Sequence, residues 1–168
     1  MRQIRFIHCA DLHIDSAFQG LSEIHPALRD LLYHSTFQSF SNIVDLAVAQ
    51  DVDCVLIAGD VYDSVDKSLQ AQLRFRDGLQ RISDQGIPTF VACGNHDPLD
   101  SWSASLGWPE NVTIFEGDHV QRVPLEKNGE VLAQVYGISY CTRDTYDNLA
   151  LKFERKDNRL GFPKSLST

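Results

Sequence analysis

The sequence predicts an α/β fold in which a parallel βαβαβ unit is followed by a β-hairpin. Three observations predict it. Apolar runs at residues 4–9, 53–58 and 88–93 are too short for helices, and each is followed closely by an Asp- or Gly-bearing turn. Two longer segments between them carry apolar residues at helical spacing. Beyond them, Asn128-Gly129 is the turn pair that two-residue hairpins favour.

Taken in order, Ile4, Phe6, Ile7 and Cys9 make the first strand. Residues 26–50 read as a helix: Pro26 suits a first turn, and Leu28, Leu31, Leu32, Ser35, Phe40, Ile43, Val44 and Ala47 fall near one face. Residues 53–58 have the continuous apolar look of a buried parallel strand. A second helix spans 67–85, with Asp66 as N-cap, a stripe of Leu69, Leu73, Arg76, Leu79 and Ile82, and Gly86 as the stop. Gly78 interrupts it. Residues 88–93 form the third strand. Strand–helix alternation of this kind implies right-handed crossovers and a parallel sheet. Short strands then fall at 112–115, 119–125 and 131–138, a short helix at 144–153, and a polar tail at 154–168.

The bulk composition narrows the function. A chain of 168 residues is expected to be one domain, 1–168. A formal net charge of −8 excludes a broad basic face for nucleic acid, although bound divalent cations would change the sign of a local field. Cys9, Cys54, Cys93 and Cys141 form no C-x-x-C pair, which argues against a zinc cluster or disulfide framework and for a reducing cytoplasm. No signal-peptide core or membrane-length apolar run is present.

Three motifs fall just past the three parallel strands: Asp11-Leu12-His13, Gly59-Asp60-Val61-Tyr62-Asp63 and Gly94-Asn95-His96-Asp97. Open α/β sheets bind ligands outside the carboxyl ends of their strands, so the three motifs should converge. Carboxylate, imidazole and amide oxygen together suit manganese, iron or zinc. Asp60 has the single carboxylate that can bridge two ions, and ions ~4 Å apart can clamp a phosphate and activate water. His96 suits protonation of a leaving oxygen, and Asp97 suits orientation of its imidazole.

In this order the motifs resemble the calcineurin-like metallophosphoesterases. The opening, from Phe6-Ile7-His8-Cys9-Ala10-Asp11 to Ser16, is similar to the SbcD-type branch of DNA-repair exonucleases. The resemblance covers roughly residues 4–140 and implies an α/β/β/α sandwich, of which this chain holds the N-terminal part. It implies that Asp11 and His13 bind one metal, Asp60 bridges two, Asn95 binds the second and His96 is the catalytic imidazole. Asp63 stands where some relatives have histidine and has a supporting role. It further implies DNA as substrate, a partner ATPase and a homodimer. Two further readings stay open: a phosphatase or cyclic-nucleotide phosphodiesterase of the same superfamily, and a non-catalytic binding or assembly module. The second arises because the family's later Gly-His-x-His pair is missing here, with His119 the only histidine after the third motif. On that count one metal has three protein ligands and the other two, and the chain is expected to be cut short at its C-terminus.

Other candidates have plainer explanations. Trp102 and Trp108 can stack bases but more commonly pack. Arg74, Arg76 and Arg81 are expected to face solvent on the second helix, as are the acidic Asp144, Asp147 and Glu154.

Overall fold

The computed structural model describes residues 3–16, 26–63, 67–102 and 106–154, with the main chain alone for 26–30. Its elements are β1 (Phe6–Cys9), α1 (Pro26–Ala49), β2 (Cys54–Ala58), α2 (Leu69–Ser83), β3 (Thr89–Ala92), β4 (Val112–Ile114), β5 (Gln121–Lys127) and β6 (Glu130–Gly137). The α/β expectation holds. Strands β1 to β4 form one parallel sheet in that spatial order, and β5 and β6 form a separate antiparallel pair.

Side-chain alternation along β2 and β3 sorts the layers. Val55, Ile57 and Val91 point to a core shared with Phe37, Phe40, Val44 and Ala47 of α1 and with Phe75, Leu79 and Ile82 of α2. Cys54, Leu56, Phe90 and Ala92 point the other way, toward Phe115 and toward Val123, Leu125, Leu132, Ala133 and Val135 around the hairpin. Helices, parallel sheet and hairpin are thus three stacked layers, a partial version of the expected sandwich. Asp53, 6% exposed, pins the hairpin to the base of the sheet: its carboxylate accepts from the Arg5 amide at 2.9 Å and from Lys127 Nζ at 3.1 Å.

Several expectations need correction. Residues 112–114 belong to the parallel sheet, pairing Thr89 with Val112 and Val91 with Ile114. In α2 the buried stripe is Ala71, Phe75, Gly78, Leu79 and Ile82, whereas Leu69 is 65% exposed and Arg76 pairs with Asp77 on the surface. The Ser68 hydroxyl caps that helix by accepting from the Ala71 amide, and Asp66 lies outside the described residues. Gly78 has a packing reason: a Cβ there would collide with the Phe40 ring. In α1, Leu31 is 66% exposed, and the Leu28 side chain is outside the described residues. The helix expected at 144–153 shrinks to a single 3-10 turn, Leu149–Lys152, capped by Asn148. Most of the polar tail, residues 155–168, is outside the described residues.

Candidate metal centre

The parallel pairing of β1 with β2 carries on past the strand ends. Asp11 N–H donates to Gly59 O, His13 N–H to Asp60 O and Ile14 N–H to Val61 O, at 3.2, 3.1 and 2.8 Å. The first two motifs therefore run side by side as turns. Asp11, His13 and Asp60 have φ of 52°, 42° and 50°, the left-handed region that L residues occupy at a cost. That conformation curls the chain so that one ligand atom from each of the three lies within 4.8 Å of the others.

The third motif closes against the second by way of two glycines. Gly59, at φ 81°, packs its α-carbon side against Gly94, and a Cβ on Gly94 would overlap Oδ1 of Asp60. The His96 amide then donates to that same Oδ1 at 3.2 Å. Asn95 is exposed and lines one cleft with Gly59, Asp60 and Gly94.

Histidine tautomers follow from the partners. Nδ1 of His13 lies 2.9 Å from Oδ1 of Asp63, and a carboxylate only accepts, so Nδ1 carries the hydrogen. Nε2 is left with its lone pair, 3.9 Å from Oδ1 of Asp11. Asp63 is fixed on its other oxygen by the Ser16 hydroxyl at 2.9 Å. The Ser16 hydroxyl, and after it the His13 ring, hold the Asp63 carboxyl below the usual carboxylate range. His96 stands edge-on to His13, with ring centroids 5.6 Å apart.

Asp97 does not orient the His96 imidazole. Nδ1 of His96 donates instead to the main-chain carbonyl of Asp63 at 3.1 Å. Both Asp97 oxygens are occupied by main-chain N–H groups, Oδ2 by Val61 at 3.0 Å and Oδ1 by Gly94 at 2.9 Å. Asp97 is wholly buried, and burial pushes its carboxyl up against the opposing pull of the Gly94, Val61 and Tyr62 amides. Its role is to tie the second loop to the third.

Sequence reasoning passed over Ser16, and also Asp15, whose carboxylate accepts from the Tyr33 hydroxyl at 2.5 Å and from the Ser68 amide at 3.0 Å. Their only signal was adjacency to the first motif. Trp102 and Trp108 pack, as their plainer explanation had it, in a cluster with Tyr62 and Phe75. His119 is 60% exposed on its side chain and pairs with Asp118, in a separate surface group with Glu116.

The donor set fits a divalent cation: hard carboxylate oxygens, one imidazole lone pair, and a backbone held in a costly conformation that draws them together. All four cysteines are free, and no helix among the described residues is long and apolar enough to cross a membrane.

Comparison with known proteins agrees with this geometry. The family model for calcineurin-like phosphoesterases matches residues 4–164. A Bacillus subtilis protein named "Uncharacterized metallophosphoesterase YhaO" is 37% identical over 92% of this chain and 38% of its own length. A component of the nuclease SbcCD from the same organism is 29% identical over 89% of this chain and 39% of its own. The "DNA double-strand break repair protein Mre11" of Methanosarcina mazei is 33% identical over 60% of this chain and 15% of its own. The chain thus spans well under half the length of these relatives. From the family match over nearly all its residues, and from two motifs folded into one ligand cluster with the third bonded to it, the chain belongs to the calcineurin-like phosphoesterase family, a class of hydrolases.

Proposed function

We propose that the chain hydrolyses phosphodiester bonds in DNA, as an exonuclease that uses two divalent cations, manganese first among them. The observation that carries the reading is the cluster of Asp11, His13 and Asp60, built on strained turns at the carboxyl ends of β1 and β2. Asp11 and His13 would hold one cation, Asp60 would serve both, and Asn95, which lines the same cleft as Asp60, would hold the other. When bound, such a pair screens phosphate charge and lowers the pKa of water.

This chain's residues set the rest. Asp63 retains the Nδ1 hydrogen of His13 and so keeps Nε2 available as a ligand. The Asp63 carbonyl does the same for His96, leaving its Nε2 to give a proton to the leaving oxygen or to balance charge on the phosphoryl group. Asp97 keeps the two loops in register.

The nuclease and repair names of two relatives support DNA as substrate. The net charge of −8 agrees with a substrate held through cations and not through a basic surface. A partner ATPase, a homodimer, a cytoplasmic setting and a single domain over residues 1–168 complete the reading.

The test is manganese-dependent hydrolysis of bis(p-nitrophenyl) phosphate and of duplex DNA. Asn95→Ala and His96→Ala should each slow the reaction, the latter by ~10²–10⁴-fold. Unchanged rates in both would remove the proposed site. Faster turnover of a phosphate monoester or a cyclic nucleotide than of DNA would favour the phosphatase or cyclic-nucleotide reading.

A further inference from the structure

Past the end of β6 the main chain is clamped between the third loop and the sheet. Ser139 N–H donates to Glu116 O at 2.8 Å, Tyr140 N–H to Cys93 O at 3.1 Å, and Leu99 N–H to Tyr140 O at 3.0 Å. The Ser139 hydroxyl, wholly buried, donates to Phe115 O and accepts from the Cys93 amide. Residue 140 is therefore fixed by main-chain bonds that do not involve its side chain.

Tyr140 lines the cleft of about 240 Å³ that also contains Asp60 and Asn95. It is half-buried, and among the described residues its hydroxyl has no hydrogen-bond partner and its ring touches no other ring. Its main chain is thus fixed beside the ligand cluster while its aromatic surface stays uncommitted. Among the described residues, no other aromatic side chain lines this cleft. Trp102 and Trp108 are engaged with Tyr62 and Phe75, and the exposed Phe6, Tyr136, Tyr146 and Phe153 do not line this cleft.

We infer that Tyr140 stacks on the nucleobase of the nucleotide whose phosphate lies at Asp60 and Asn95, which makes the preferred substrate a nucleotidyl ester and not a small alkyl or aryl phosphate. The inference rests on the phosphoesterase reading above. A base presents a π-face whatever its identity, so a single tyrosine selects for a nucleotide without selecting a sequence. The backbone clamp fixes the main chain from which the ring projects, so only the side-chain torsions remain to be ordered on binding.

The experiment is calorimetric titration, with manganese present, of thymidine 5′-monophosphate and of inorganic phosphate into the wild-type chain, Tyr140→Phe and Tyr140→Leu. Tyr140→Leu should weaken the nucleotide by about tenfold, the scale of one lost base–aromatic stack. Tyr140→Phe should keep wild-type affinity, and inorganic phosphate should bind all three proteins alike. Equal nucleotide affinity in Tyr140→Leu and wild type, with phosphate binding intact, would overturn the role of Tyr140 alone. So would a loss in Tyr140→Phe as large as in Tyr140→Leu, since that assigns the effect to the hydroxyl. No manganese-dependent binding of either probe to the wild-type chain would instead remove the phosphoryl site itself, and this inference with it.

Discussion

Gly94 and Asp60 occupy space that only a glycine permits them to share. A Cβ on Gly94 would overlap Oδ1 of the Asp60 carboxylate and lie 2.6 Å from the Asp60 amide nitrogen. The neighbour is backbone and a hydrogen-bonded carboxylate, so neither can swing aside cheaply. Gly94→Ala should push the second and third loops apart, costing about 1–3 kcal/mol of stability as overpacking does. Manganese affinity should fall more than tenfold, because the Asp60 carboxylate moves with its amide. Calorimetry and thermal melting check both, and wild-type manganese affinity in the variant would disprove the close approach.

Asp97 gives a second test, of the tie between those loops. Its two oxygens accept from Val61 N–H and Gly94 N–H. Asp97→Asn conserves shape but sets an amide NH₂ against one of those donors. One buried N–H then loses its acceptor, at a cost of about 1–3 kcal/mol. A denaturant midpoint equal to that of the wild type would show that the carboxylate does not hold the loops.

What could be read from the sequence follows from how far each signal reaches along the chain. Strands β2 and β3 were legible because both faces are covered, so their residues form continuous apolar runs. Strand β4 was legible as a strand, but its place in the sheet was not, because three residues carry no pattern that distinguishes a parallel neighbour from a hairpin. The buried stripe of α2 was misphased for another reason: Ala71 and Gly78 are buried through small size, which hydrophobic periodicity does not register. In the site, the three motifs announced themselves by residue type. The contacts of Asp63 with His13 and Ser16, and of Asp97 with Val61, join residues 50, 47 and 36 positions apart, and only the folded chain brings them together.

Asp63 yields a prediction about metal binding through the imidazole. Asp63→Asn leaves an amide that can place either its oxygen or its NH₂ toward Nδ1 of His13, so the tautomer with a free Nε2 loses its fixed support. Loss of such an outer partner typically costs metal affinity by ~10–100-fold. The fall should appear in manganese calorimetry while the melting temperature changes little, since Asp63 is on the surface. A variant that binds manganese as the wild type does would show that His13 needs no orientation from Asp63.

The cysteines supply a prediction with a pH sign. Burial pushes the Cys9 and Cys54 thiols up to about 11, and Cys93 up to about 12, from an ordinary value of 9.0. Thiolate is the reactive form, so these three should resist a disulfide reagent near pH 8 while exposed Cys141 reacts at once, and denaturant should release the rest. The same shift makes stability depend on pH. Above about 9 the unfolded chain gives up thiol protons that the folded chain retains, so the unfolded state gains and stability falls as pH climbs toward 11 and 12. Cys93→Ala removes one of these protons from the balance. Its stability deficit against the wild type, measured by urea unfolding, should therefore shrink between about pH 8 and pH 10.5. A deficit that stays constant over that range would mean that the Cys93 thiol titrates alike in both states.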